Sequence, residues 1–234
     1  FYKKYQKHFD VSENNFAHFV MWSCGGICIG FVIGLVGIAF HLALEWATEF
    51  RTAHPMLLWL LPFGGLAIVL AYRLAGQEKD RGTNFILVAV RANEAVTLRT
   101  APLIFFSTVV THLLGGSAGR EGAALQLGGS IASSFGRIFQ LNEREGRIMT
   151  MCGMAAGFAA LFGTPLTSVI FAMEVITVGV MHYSAIVPCI ISALVAAGLS
   201  QAVGIAPTTF SIAHIPAAVG LENCFRVAVL GVLC

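Results

Sequence analysis

Apolar stretches alternate with polar loops along this chain. The stretches are 19–44 (FVMWSCGGICIGFVIGLVGIAFHLAL), 56–72 (MLLWLLPFGGLAIVLAY), 100–118, 148–180 and 183–206. A bilayer core about 30 Å thick needs about 20 residues of helix to cross it, so each stretch predicts a membrane helix. Polar segments predict loops at 45–55 (EWATEFRTAHP) and 73–82 (RLAGQEKDRG). In the first stretch Gly26, Gly30 and Gly34 recur every fourth residue. Such a small-residue stripe lets a second helix approach closely in lipid, where packing drives association.

Beyond residue 82 the pattern becomes irregular. Segment 82–92 (GTNFILVAVRA) is apolar but too short to cross, and short apolar segments are typical of re-entrant or buried elements. Glycine pairs interrupt the region 100–163 at 115–116, at 128–129 and within CGMAAG at 152–157. Two helix starts are predicted inside the apolar region. SAGREGAALQL (117–127) turns from loop into helix around Arg120, and GTP (163–165) sets a Thr cap before a first-turn proline. A helix start leaves up to four N–H groups unpaired, which lipid cannot satisfy. Broken helices at that depth line cavities or ion paths, and their positive ends favour anions. The expected fold is therefore an all-α polytopic membrane protein, and its architecture points towards anion transport.

Composition agrees with that solvent. Hydrophobic residues make up 57% of the 234 and charged residues 11%, against about 25% charged in a soluble domain. Apolar segments recur along the whole chain, so a secretory leader does not explain them. The net charge of +2 comes without a basic block, and no nucleic-acid partner is expected. Lys3, Lys4 and Lys7 favour a cytoplasmic juxtamembrane segment over 1–16. The six cysteines lie almost entirely within apolar segments and read as small buried residues. No metal or cofactor is implied. Segment 221–234 (LENCFRVAVLGVLC) begins a further span, and the chain reads as the first part of a longer protein.

The charges inside apolar stretches carry the candidate chemistry. Arg120 and Glu121 stand side by side in GGSAGREGAALQLGG. A charge at the bilayer centre costs about 2.5–3.5 kcal/mol on insertion scales and persists where it is paired or wet. The two form either a structural pair or part of an anion path in which Glu121 competes with the anion until it is protonated. Thr83 and Asn84, in GTN, are either ordinary caps or further donors to that path. Glu174, in VIFAMEVITV, is either a buried acceptor or a secondary proton site. His41 and His112 read as helix-face residues with a satisfied nitrogen. GGSAG at 115–119 also fits G-x-S-x-G, so an intramembrane hydrolase using Ser117 and His112 is the alternative of another class; that motif requires a strand-to-helix turn.

GGSAGREGAALQLGGSIASSFGRIF resembles the G-R-E-G helix start of the CLC family of chloride channels and proton-coupled anion antiporters. AAGFAALFGTPLTSVIFAMEV resembles that family's stretch ending in F-x-x-E, and GTNFI stands where the family has G-S-G-I-P. The resemblance covers nearly all of 17–234. It implies two inverted-topology halves of tilted, broken helices in a homodimer. This chain would supply the first repeat (17–220) and the start of the second (221–234). Three departures look like the bacterial fluoride/proton antiporter branch: Thr83 and Asn84 within Gly82–Ile86, Val175 after Glu174, and Ala123 after G-R-E-G. The implied activity is halide movement by proton-coupled exchange, fluoride preferred over chloride, with a passive chloride channel as the alternative. An enzyme is not implied.

The resemblance also implies roles. Glu121 becomes the gate and proton carrier, and the amides of Arg120, Glu121 and Gly122 the outer anion ligands. Thr83, with its neighbouring backbone at Asn84, becomes the inner ligand. The implied location is a bacterial plasma membrane, crossed several times.

Overall fold

The computed structural model describes residues 2–77, 82, 88, 96–176, 183–205 and 221–233, with side chains in α1 from Phe19 onward. Its α-helices are α1 (Tyr2–Ala53), α2 (Leu61–Leu74), α3 (Thr100–Leu113), α4 (Glu121–Ile138), α5 (Glu143–Phe162), α6 (Pro165–Ile176), α7 (Ile186–Ala202) and α8 (Leu221–Leu233). Among the described residues, three helical segments are long and apolar enough to cross a membrane: Phe19–Ala53, Pro55–Leu74 and Tyr183–Ala202.

The loop expected at 45–55 is helix almost to its end, because EWATEFRTA contains no breaker. The turn comes at His54, whose N–H bonds back to Phe50 O at 3.1 Å, before Pro55 opens a 3₁₀ segment (Pro55–Leu60). At the other end α1 begins at Tyr2, so the polar residues 2–16 are continuous with the first span. Two other expected spans are shorter than the apolar pattern implied. α3 ends at Leu113, and 148–180 divides at Gly163 and Thr164 into α5 and α6.

Helix α5 is the centre. It packs against α4, α7, α1 and α6 and is buried almost continuously from Ile148 to Leu161. Its start is a capping box that the hydropathy pattern did not show: Asn142 accepts from the Glu145 N–H at 3.0 Å, and Glu145 accepts from the Asn142 N–H at 3.1 Å. Its end is Gly163, in the left-handed region at φ 65°. The Thr164 carbonyl then accepts from the Ser168 N–H at 2.9 Å, so α6 starts where GTP predicted.

Two of the three glycine clusters expected to interrupt the helices instead join them. A Cβ on Gly128 would lie 2.1 Å from the Gly153 carbonyl oxygen, and one on Gly157 would lie 2.7 Å from the Ala124 oxygen. Here α4 and α5 touch backbone to backbone, which only glycine permits. The α1 stripe does the same against α7, as its spacing predicted. A Cβ on Gly30 would meet Ser192 O at 2.5 Å, and one on Gly26 would meet Pro188 O at 2.9 Å.

The cysteines divide by position. Cys152 and Cys189 are buried where α5 meets α7, with sulfurs 3.6 Å apart, whereas Cys24 and Cys28 are exposed on α1, against the expectation of burial. Cys224 and Cys234 lie outside the described side chains.

Candidate functional site

The third glycine cluster does break the chain, and it creates the site. α3 ends with Gly115 at φ 83°; the Gly115 N–H bonds His112 O at 3.2 Å and the Gly116 N–H bonds Thr111 O at 2.8 Å. This is the double closure of a Schellman end, which requires a left-handed residue. At about 1.5 Å per residue the 14-residue α3 spans about 21 Å, short of a bilayer core. α3 is therefore too short to cross by itself, and after the turn α4 opens at Arg120 and Glu121.

No side chain caps that opening. Arg120 is the N-cap residue, half-buried, and its carbonyl accepts from the Ala124 N–H at 2.9 Å. The Glu121 side chain is exposed and folds back over the preceding loop. A Cβ on Gly119 would lie 2.6 Å from Glu121 Oε2, so glycine leaves the space that the carboxylate occupies. The positive end of α4 thus faces an acidic group that is not locked into a cap. That is the electrostatic requirement for a site shared between a carboxylate and another anion.

Beside the opening is a cavity of about 510 Å³, lined by Tyr72, Gly82, Ile104, Ser107, Thr108, Gly119, Gly122, Ala123 and Gln126. Gly122 belongs to the G-R-E-G element and Gly82 begins the GTN motif, so two segments separated by a whole helix meet at one cavity. Thr83 and Asn84, the expected inner ligands, lie outside the described residues. Ser107, Thr108 and Gln126 give the wall a polar character that sequence reading missed; a polar residue every few positions along α3 and α4 was the available signal.

Other expectations fare differently. Glu174 is exposed on α6, so it is not the buried acceptor considered for it, and it does not line this cavity. His112 behaves as expected, its Nδ1 2.8 Å from Thr108 O. His41 does not: its Nδ1 is buried and has no hydrogen-bond partner among the described residues. The G-x-S-x-G match is not a nucleophile elbow, because helix α3 precedes it where a strand is required. Arg137, unremarked in the sequence, clamps the base of α4 by donating to Val96 O at 2.7 Å and to Ser134 Oγ at 3.0 Å.

The family model described as voltage gated chloride channel matches residues 63–234. The chain belongs to the voltage-gated chloride channel family. Within this family, a protein of Pseudomonas syringae pv. tomato named chloride/fluoride channel protein is 40% identical over 188 residues, covering 80% of this chain and 42% of the relative. An H(+)/Cl(-) exchange transporter of Cronobacter sakazakii is 34% identical over 160 residues, covering 62% of this chain and 34% of its own. The chain thus spans less than half the length of these relatives. Among solved structures, a CLC-type fluoride/proton antiporter superposes with a TM-score of 0.81 at 31% identity, over 92% of this chain and 54% of that one. A slow cyanobacterial Cl-/H+ antiporter superposes with a TM-score of 0.67 at 21% identity and shares the fold. The family-model match includes both Gly82 and the α4 start, which the structure brings to one cavity.

Proposed function

We propose that these residues are the first half of a halide transporter that exchanges fluoride, in preference to chloride, for protons. The observation that carries this reading is the uncapped start of α4, where the Glu121 carboxylate lies back over Gly119 beside the polar cavity. A small anion entering the cavity meets the amides of Arg120, Glu121 and Gly122 and competes with Glu121 for them. Protonation of Glu121 neutralises the competitor and releases the amides to the anion. One residue then handles both substrates by turns, which is the coupling an antiporter needs. Thr83 and Asn84, next to Gly82, are the inner ligands in this proposal, and Glu174 is a secondary proton site.

The preference for fluoride draws on likeness. The structure that superposes with a TM-score of 0.81 is described as a fluoride/proton antiporter, and the Pseudomonas relative's name includes fluoride. Val175 follows Glu174, where proton-coupled chloride members of the family carry a second glutamate. The protein in this proposal crosses a bacterial plasma membrane several times and works as a homodimer. A passive channel is the second reading, since the same Pseudomonas relative is named a channel protein.

The test is flux from liposomes holding the full-length protein, with fluoride, chloride and pH followed together. Fluoride efflux that drives proton uptake supports the proposal. Fluoride efflux without proton movement favours the channel, and efflux of chloride with fluoride retained overturns the selectivity.

A further inference from the structure

The apolar part of α1, α5 and α7 all begin at one end of the molecule. Gly26, Gly30 and Gly34 of α1 face Pro188, Ser192 and Leu199 of α7 in that order, and Gly25 and Gly37 face Met149 and Ala160 of α5. The three helices therefore run in parallel, and two of them begin membrane-length segments there, at Phe19 and Tyr183. Between these starts is a cavity of about 570 Å³, separate from the one beside Glu121. Its lining changes character along the helix axes. Asn142, Arg144 and Glu145 at the start of α5, with Tyr183 and Ser184 before α7, form the rim. One turn further in, about 5 Å at 1.5 Å per residue, the walls are Ile148, Val187 and Pro188. Trp22 closes the cavity from α1 and is buried, whereas Phe19, Tyr183 and Val187 are exposed around it.

An apolar recess at the end of membrane-length helices, bordered by exposed aromatic and aliphatic side chains, is filled by lipid in preference to water. Trp and Tyr at such a boundary mark the headgroup level. The rim adds one charge of each sign. Arg144 forms no hydrogen bond or ion pair among the described residues. Glu145 is held in place by the capping box, accepting from the Asn142 N–H at 3.1 Å. A carboxylate has about four acceptor sites, so that bond leaves it able to accept more. We propose that the cavity binds a zwitterionic phospholipid whose headgroup ends in a primary ammonium. The phosphate lies on the Arg144 guanidinium and the ammonium on Glu145, with the glycerol and upper acyl chains against Trp22, Ile148 and Pro188.

The pair of opposite charges selects among headgroups. A phosphate without an amine satisfies Arg144 but sets its negative charge beside Glu145 with nothing between them. A trimethylated amine carries the positive charge but has no N–H to donate to the carboxylate. A primary ammonium supplies both charge and donors. Glu143, at the start of the same helix, does not line the cavity. Neither Arg144 nor Glu145 belongs to the anion site, so lipid binding here is independent of the reading of Glu121.

The experiment uses the full-length protein, stripped of lipid in detergent. It is offered equal amounts of phosphatidylethanolamine, phosphatidylglycerol and phosphatidylcholine with identical acyl chains, and native mass spectrometry counts the lipids retained. Phosphatidylethanolamine should be retained about two- to fivefold over either competitor, the size of one exposed ion pair that the others cannot make. Glu145→Gln keeps the capping box, since glutamine serves at that position, and should erase the preference over phosphatidylglycerol. Arg144→Gln, at an exposed side chain, should lower retention of all three lipids. Equal retention of the three, preference for either competitor, or no retained lipid overturns the proposal. An unchanged preference in Glu145→Gln, or unchanged retention in Arg144→Gln, overturns it as well, because the lipid then sits elsewhere. Phosphoethanolamine without acyl chains, at the same concentration, should not displace the lipid; displacement would make the ligand a soluble phosphate ester and overturn the lipid assignment.

Discussion

The backbone contact between α4 and α5 can be broken with one methyl group. In Gly128→Ala the new Cβ would sit 2.1 Å from Gly153 O and 3.3 Å from Met154 Cα. A carbon–oxygen contact relaxes at about 3.3–3.6 Å, so the helices must part by about 1 Å. The obstacle is backbone, with no flexible side chain to move aside. Overpacking of this kind costs about 1–3 kcal/mol. The effect should also reach the site, because Glu121 stands two turns upstream on the same helix. A shift of about 1 Å there should lower halide flux by on the order of ten- to a hundredfold. Gly198→Ala is the control, since nothing lies within 4 Å of its Cβ position; relief of glycine's entropy cost should stabilise it by about 0.5–1 kcal/mol. Denaturation in detergent and liposome flux, measured on both variants, check the argument. If Gly128→Ala is as stable and as active as Gly198→Ala, the helices are not in backbone contact and the reasoning fails.

Further expectations concern single side chains. Glu121→Gln should abolish proton movement coupled to anion flux, and coupling that persists at the wild-type ratio would place the coupling residue elsewhere, with Glu174 the next to test; if all transport stops, Glu121→Ala should restore an uncoupled anion flux. Thr83→Val should change the fluoride-to-chloride preference by about tenfold at most, because one hydrogen bond is worth about 0.5–1.5 kcal/mol net; an unchanged preference in ion-competition assays removes Thr83 from the ligand set. Asn142→Ala breaks the capping box of the central helix and should cost about 1 kcal/mol in denaturation; no loss of stability would mean that α5 is fixed by packing alone.

Much of this architecture was legible because lipid makes strong demands on sequence. The glycines at 26, 30 and 34 announced a close helix contact, and α7 supplies it. The starts at Arg120 and Pro165 were legible from local chemistry: a Gly-rich loop before a helix former, and a cap followed by proline. Glycine pairs inside helices were not separable from glycine pairs between them. GG at 115–116 ends a helix and GG at 128–129 continues one, because neighbouring backbone decides the outcome and the local sequence does not contain it. Burial of single groups was hidden for the same reason. Glu174 lies within an apolar run yet is exposed, while His41 lies in a similar run and is half-buried, its Nδ1 buried without a partner among the described residues. Hydropathy gives the environment of a segment, and only packing gives the face.

The shortness of α3 has a consequence for voltage. Thr108, on the cavity wall, stands eight residues beyond Thr100, about 12 Å along the axis at 1.5 Å per residue. With Thr100 taken at the edge of a hydrocarbon layer about 30 Å thick and α3 along its normal, the cavity of the proposed transporter lies roughly two-fifths of the way through the electric field. Moving one elementary charge through the whole field is worth about 2.3 kcal/mol per 100 mV, so an anion entering from the Thr100 side gains or loses about 0.9 kcal/mol per 100 mV. Occupancy of the cavity should then change about fivefold for each 100 mV. In the proposed transporter the membrane potential then acts on the loading step itself.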